Sequence, residues 1–172
     1  MKKILYLFVT VALFAACKGP AATGKKDSLT MPYKATYSSS FVISDSTKYA
    51  QSALQSLKDW EDNKLNNAPA YFADTVAMDF WDGTSFKLKR DSMVKVFQKF
   101  RDSLSSSKIE VLVYTNLHST DKNEDWVNVW YKQTDTYKSG KIDSAIYEDD
   151  NMMVKGKIAY ILDKRRALKK AK

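Results

Sequence analysis

The stretch Trp126-Val127-Asn128-Val129-Trp130-Tyr131-Lys132 decides the fold, because its side chains alternate with a period of two. Trp126, Asn128, Trp130 and Lys132 belong to one face of a strand, and Val127, Val129 and Tyr131 to the other. The same period holds before it, where Ile109, Val111 and Val113 alternate with Glu110, Leu112 and Tyr114, and after it through 141–154 and 157–162. Polar breaks at 120–125, 138–140 and 155–156 are spaced for antiparallel hairpins. Aromatic residues on both faces imply that one side closes a core while the other meets a partner sheet.

Before residue 109 the period is helical. Ser44-Asp45-Ser46 supplies N-cap chemistry ahead of Tyr49, Ala53, Leu54, Leu57 and Trp60, which predicts an amphipathic helix over 46–62. Pro69 suits the first turn of a short second helix carrying Tyr71 and Phe72. Val76, Met78 and Phe80 alternate with Ala77, Asp79 and Trp81 as a strand that runs into an Asp82-Gly83 turn. Asp91 or Ser92 can cap a third helix with Met93, Val94, Phe97, Phe100 and Leu104 facing inward. Helices first and strands last predict an α+β domain over 41–168, with the helices on one face of a curved antiparallel sheet.

This succession resembles the nuclear transport factor 2-like superfamily, including its SnoaL-like polyketide cyclase and ketosteroid isomerase members. The resemblance is carried over 46–165 by Leu57-Lys58-Asp59-Trp60-Glu61-Asp62-Asn63, Tyr71-Phe72-Ala73-Asp74-Thr75-Val76, Asp82-Gly83-Thr84, Arg90-Asp91-Ser92 and Lys155-Gly156-Lys157-Ile158, in that order. It implies a cone: a curved sheet wrapped around a long helix with two further helices, an apolar pocket at the open end, and a homodimer. Ketosteroid isomerases use an Asp base with a Tyr and a neutral Asp as hydrogen-bond donors. Laid on this chain without gaps, the Tyr position falls on Ser56, the base position on Phe80 with Asp79 beside it, and the neutral acid on Asp150. That pattern disfavours isomerase chemistry.

The residues themselves nominate a site. Asp150 stands in Glu148-Asp149-Asp150, where a strand must turn one carboxylate inward and burial raises its pKa. Asp150, with Asp79 or His118, forms the candidate acid-base set; Met78, Phe80, Phe97, Trp130, Tyr131, Tyr147 and Glu148 form the candidate pocket lining. Tyr114, Trp130, Tyr131 and Tyr147 suit stacking on a small apolar or ring-bearing ligand. Several classes are excluded. His118 is the single histidine, so His-rich and Cys-plus-His metal sites are out, and no metal or cofactor is expected. No G-x-S-x-G elbow, P-loop or G-x-G-x-x-G occurs, and five glycines are poor material for a phosphate cradle. The basic excess is too diffuse to argue for nucleic acid; its one dense cluster, Lys164-Arg165-Arg166 with Lys169-Lys170-Ala171-Lys172, reads as a solvated end, with 169–172 as a basic tail.

The amino terminus carries an address. Met1-Lys2-Lys3, an apolar run over 4–16 and then Cys17 have the three parts of an export signal, and the run is too short to span a bilayer. Phe14-Ala15-Ala16-Cys17 resembles the lipobox of bacterial lipoproteins in the looser form common in the Bacteroidetes, which implies cleavage after residue 16 and diacylglycerol on the Cys17 thiol. Cleavage also removes Lys2 and Lys3 and lowers the net charge from +8 to about +6. Lys18 after the cysteine favours the outer membrane under the sorting rule of enteric bacteria. Residues 17–40, rich in Lys, Ala, Gly, Thr and Ser, read as anchor and flexible tether. The sequence thus predicts an envelope-tethered lipoprotein whose domain binds a small molecule or a protein partner, with a small isomerase, dehydratase or cyclase, or a structural dimerisation module, as alternatives.

Overall fold

The computed structural model describes residues 31–168. The expected signal peptide, Cys17, the tether up to residue 30 and the tail 169–172 lie outside the described residues. The chain divides into two units between Lys34 and Ala35, and the second holds every helix and strand described below. Residues 35–40, expected in the tether, belong to that folded unit. Ser38 Oγ donates to Asp121 Oδ1 at 2.7 Å, and Thr120 N donates to Ser40 O at 3.2 Å.

The elements run β1 (Phe41–Ile43), α1 (Thr47–Glu61), a 3-10 helix (Leu65–Ala70), β2 (Phe72–Asp79), β3 (Ser85–Lys89), α2 (Arg90–Asp102), β4 (Leu104–Ser119), β5 (Glu124–Tyr137), β6 (Ile142–Val154) and β7 (Lys157–Ala167). They form one seven-stranded curved sheet in the order β1-β4-β5-β6-β7-β2-β3, as an α+β architecture requires. The sheet is mixed where an antiparallel one was expected: β2 runs parallel to β7, and every other pair is antiparallel. Four meandering strands, β4 to β7, bring β7 back alongside β2 in the same direction.

The helices cover the face on which Val127, Val129 and Tyr131 lie. Ala50 and Ala53 of α1 are buried, and such small side chains let the helix sit close against the sheet. Val76 and Met78 of β2, Met93 of α2, Met153 of β6 and Ile158 of β7 complete that core. Arg101 of α2 is buried and donates from Nε to Trp60 O at 2.7 Å and from Nη2 to Glu61 O at 2.9 Å. Its guanidinium caps two carbonyls at the α1 C-terminus, of which Trp60 O also accepts from Asn63 N, and the helix dipole there favours a cation. The Lys155-Gly156 turn joins β6 to β7 with both residues at positive φ, as a two-residue hairpin demands.

Local details depart from the periodicity. The third helix begins at Arg90, ahead of both expected caps, while Leu104 opens β4 and Phe100 is largely exposed. Ser85–Lys89, which carried no clear strand signal, pairs with β2 as a short edge hairpin. Irregularities interrupt the sheet: Ser105 and Leu112 fall outside the β4–β5 ladder, Ala159 falls outside the β6–β7 ladder, and the β2–β7 register shifts between Phe72 and Ala77. No helix among the described residues is long and apolar enough to cross a membrane.

Ile158 is fully buried, so Ile158→Ala is expected to cost about 3 kcal/mol of unfolding free energy, read from urea denaturation midpoints. Leu112→Ala, half exposed in the β4 bulge, should cost about 0.5 kcal/mol or less.

Candidate functional site

Between α1, α2 and the inner face of the sheet lies a cavity of about 200 Å³. α1 contributes Ser56, Leu57 and Trp60, α2 contributes Met93, Val94 and Phe97, the strands contribute Met78, Tyr131, Tyr147 and Ile161, and Phe80 enters from just after β2. Two carboxyl groups enter this largely apolar lining beside the uncharged polar Ser56 and Gln133, Asp149 from β6 and Asp163 from β7. Both residues are about 8% exposed, and they are direct cross-strand partners in the β6–β7 ladder. Direct partners share a face, so two acids oppose each other across one ladder step away from bulk water.

Their electrostatics follow from that placement. Burial first, and then the charge of Asp163, drive Asp149 well above the usual carboxylate range. Burial also lifts Asp163, to about 6, against the pull of Asp149, the Trp81 backbone and the Arg165 guanidinium. Tyr131 Oη donates to Asp149 Oδ2 at 3.1 Å, and its own pKa is pushed up by burial and by Asp149. Asp149 Oδ1 is buried with no partner among the described residues. Like charges this close in a dry site do not both ionise readily, so the pair holds a proton in the neutral range. Arg165 is committed elsewhere: Nη2 donates to both oxygens of Asp143 at 2.9 and 2.8 Å, and Nε donates to Tyr147 Oη at 3.0 Å.

The residues nominated from sequence separate by face. Met78, Phe80, Phe97, Tyr131 and Tyr147 meet in the cavity. Trp130, Glu148 and Asp150 each neighbour an inward residue and therefore point to the opposite face. There Asp150 accepts from Asn128 Nδ2 at 2.7 Å and from Lys164 Nζ at 2.5 Å. Despite partial burial, Lys164 and Trp130 hold Glu148 below its ordinary pKa. Asp79 accepts from Ser85 Oγ at 2.6 Å and Tyr160 Oη at 2.7 Å, which lowers its pKa. His118 Nδ1 lies 2.8 Å from Asp125 Oδ1 on the β4–β5 pair. Asp150, Asp79 and His118 do not line the inner cavity, and these three nominated acid-base groups do not converge.

The carboxyl that does enter is Asp149, the middle residue of the acidic run. Strict alternation from the buried Val127–Val129–Tyr131 face, carried across the ladder, identifies it. Asp163 is harder to find. Ile158 points inward from an even position, and the bulge at Ala159 switches the inward set to Ile161, Asp163 and Arg165. Without that extra residue Lys164 would face the cavity. Among the described residues no cluster of three or more His, Cys, Asp or Glu is arranged to hold a metal.

No family model and no curated protein matches the sequence. The fold does have relatives among solved structures. A protein from Jannaschia sp. CCS1 assigned as a SnoaL-like polyketide cyclase superposes with a TM-score of 0.56 at 10% identity, over 69% of this chain and 85% of that one. A Mycobacterium tuberculosis LEH-like epoxide hydrolase gives 0.57 at 8%, over 70% and 84%. An NTF2-like protein of unknown function from Burkholderia pseudomallei K96243 gives 0.53 at 11%, over 67% and 88%. The fold is therefore nuclear transport factor 2-like.

The raised acid at position 163 has a measurable consequence. Its stabilising contribution is complete below its unfolded value of 3.8 and is lost as pH rises through about 6. Asp163→Asn removes that dependence, so its stability relative to wild type should be higher at pH 7 than at pH 4, by urea denaturation. Asp79, Asp82 and Asp121, whose pKa values are lowered, act with the opposite sign in both proteins and cancel in the difference. Parallel pH profiles for the two proteins would remove the buried-pair assignment.

Proposed function

We propose that this chain is a lipid-anchored envelope protein whose nuclear transport factor 2-like domain binds a small, largely apolar, ring-bearing molecule in the cavity between α1, α2 and the sheet. The observation that carries it is an aromatic cavity of about 200 Å³ whose polarity is concentrated in one buried carboxyl pair. An apolar enclosure with a few convergent polar groups and shifted pKa values is the usual form of a ligand site. The lipobox-like Phe14-Ala15-Ala16-Cys17 supports the anchor, and Lys18 supports the outer membrane.

A second reading is favoured by one specific feature. Asp163, with a pKa of about 6 beside a more strongly raised Asp149, has a proton to give or take near neutral pH, as a general acid-base pair requires. The polyketide cyclase and epoxide hydrolase assignments of two structural relatives fit an enzyme acting on a small organic molecule. In that case Asp149 and Asp163 take the roles that the sequence assigned to Asp150, Asp79 and His118. A homodimer through the opposite face is supported by the groove of Phe41, Leu117, Trp126, Met152, Tyr160 and Leu162 and by the half-exposed Val111 to Tyr114 run.

Full-length protein should show a thermal shift with single-ring compounds and carry a small molecule that mass spectrometry detects after purification. An empty protein and a flat panel would remove the binding function. Asp163→Asn should leave binding of neutral compounds within a few fold while abolishing any turnover of them. Cys17→Ser should abolish globomycin-sensitive processing and membrane fractionation; unchanged fractionation would remove the anchor.

A further inference from the structure

The carboxyl pair gives the cavity a charge preference. Asp149 and Asp163 sit opposite each other on β6 and β7, each more than nine-tenths buried, and Asp149 Oδ1 has no hydrogen-bond partner among the described residues. Among those residues no lysine, arginine or histidine lines the cavity. α1 and α2 present only uncharged side chains to it, and β5 presents Tyr131 and Gln133. The charged groups that act on the pair from around it are Arg165 on β7, Asp82 in the β2–β3 turn and Asp150 on β6. Arg165 is the only cation of these, and its guanidinium is held by Asp143.

The remaining walls combine aromatic rings with aliphatic side chains such as Leu57, Leu65, Val94 and Ile161. Phe72, Phe80, Phe97, Trp60, Tyr131 and Tyr147 surround the pair, with Tyr131 and Tyr147 stacked at 5.4 Å and 12°. Such rings attract cations through their quadrupoles. Arg165 already uses this attraction nearby, lying 5.8 Å from the Tyr147 centroid and 5.0 Å from that of Trp81. A neutral hydrogen-bond acceptor would accept one hydrogen bond from the protonated carboxyl and leave the remaining carboxylate charge unmatched. An ammonium group offers three donors and a positive charge, which satisfies Asp149 Oδ1 and allows both acids to ionise. A dry apolar cavity of about 150 Å³ accommodates benzene, so about 200 Å³ has room for one ring with a short aminoalkyl arm.

We propose that the cavity takes a protonated primary amine on a single-ring apolar body, with the ammonium between Asp149 and Asp163 and the ring against Phe80 and Phe97, an assignment that rests on the reading of the cavity as a ligand site. The ammonium nitrogen stays protonated throughout. Before binding, the two carboxyl groups hold one proton between them. The cation displaces that proton to solvent, leaving two carboxylates and one ammonium in contact.

The test uses full-length protein in detergent at pH 7, with 2-phenylethylamine as the cation and 2-phenylethanol as its neutral isostere, by isothermal titration calorimetry. The amine should bind at least tenfold more tightly than the alcohol, with heats in two buffers of different ionisation enthalpy showing proton release. Asp149→Asn and Asp163→Asn should each erase most of the preference through weaker binding of the amine. Because each substitution removes a buried charge, both variants should fold, and the alcohol titration checks that the cavity persists. Equal or tighter binding of the alcohol by wild type overturns the cation assignment and leaves the ligand site standing. Binding of neither compound overturns both.

Discussion

A β-strand sends each side chain to one face or the other, and the chemistry of this protein depends on which residues of β6 and β7 fall inward. Tyr147, Asp149 and Asn151 face the helices from β6, while Glu148 and Asp150 face away. On β7 the extra residue at Ala159 resets the alternation, so that Asp163 comes to oppose Asp149. A bulge redirects every side chain that follows it. Here it replaces an inward Lys164, which would have neutralised Asp149, with a second acid.

A pair of buried acids is costly unless something compensates for the loss of water. Within the chain that compensation comes from the Tyr131 hydrogen bond to Asp149, the Trp81 backbone at Asp163 and the charge of Arg165. Retaining a proton reduces the cost, and a bound partner would reduce it further. The rest of the domain is built more conventionally. Its polar groups on the outer face are matched, as in the Asn128–Asp150–Lys164 chain, and the open end of α1 is closed by Arg101. Asp149 Oδ1 is one of several buried polar atoms left without a partner among the described residues, Asp59 Oδ2 and Arg90 Nε being others outside the cavity.

The two faces of the sheet carry different surfaces. The inner face packs on helices through small and branched residues and opens at the cavity. The outer face has Trp126 edge-on to both Tyr37 and Tyr160, with centroids 6.2 and 6.0 Å apart. Tyr37 comes from the segment before β1, and its hydroxyl donates to Glu124. The residues just ahead of the first strand therefore help to cover the outer aromatic row.

Because strand and helix repeats are local properties of the chain, periodicity in the sequence was enough to determine the α+β class, the main helices, the antiparallel meander and the division of Val127, Val129 and Tyr131 from Trp126, Asn128 and Trp130, though not which set faces inward. It also nominated Met78, Phe80, Phe97, Tyr131 and Tyr147, which share one cavity in the structure. It selected Asp150 over Asp149 because a family alignment was counted back from the last hairpin, and a one-residue difference in a strand exchanges faces. It had no means of finding Asp163, since the Ala159 bulge exists only through the pairing of β7 with its neighbours. The parallel β2–β7 contact was hidden for the same reason: residues far apart in the chain meet only when the sheet closes. Composition and alternation decided which elements form. Tertiary pairing decided which two carboxyl groups share a dry cavity, because only pairing fixes register, and register fixes the face.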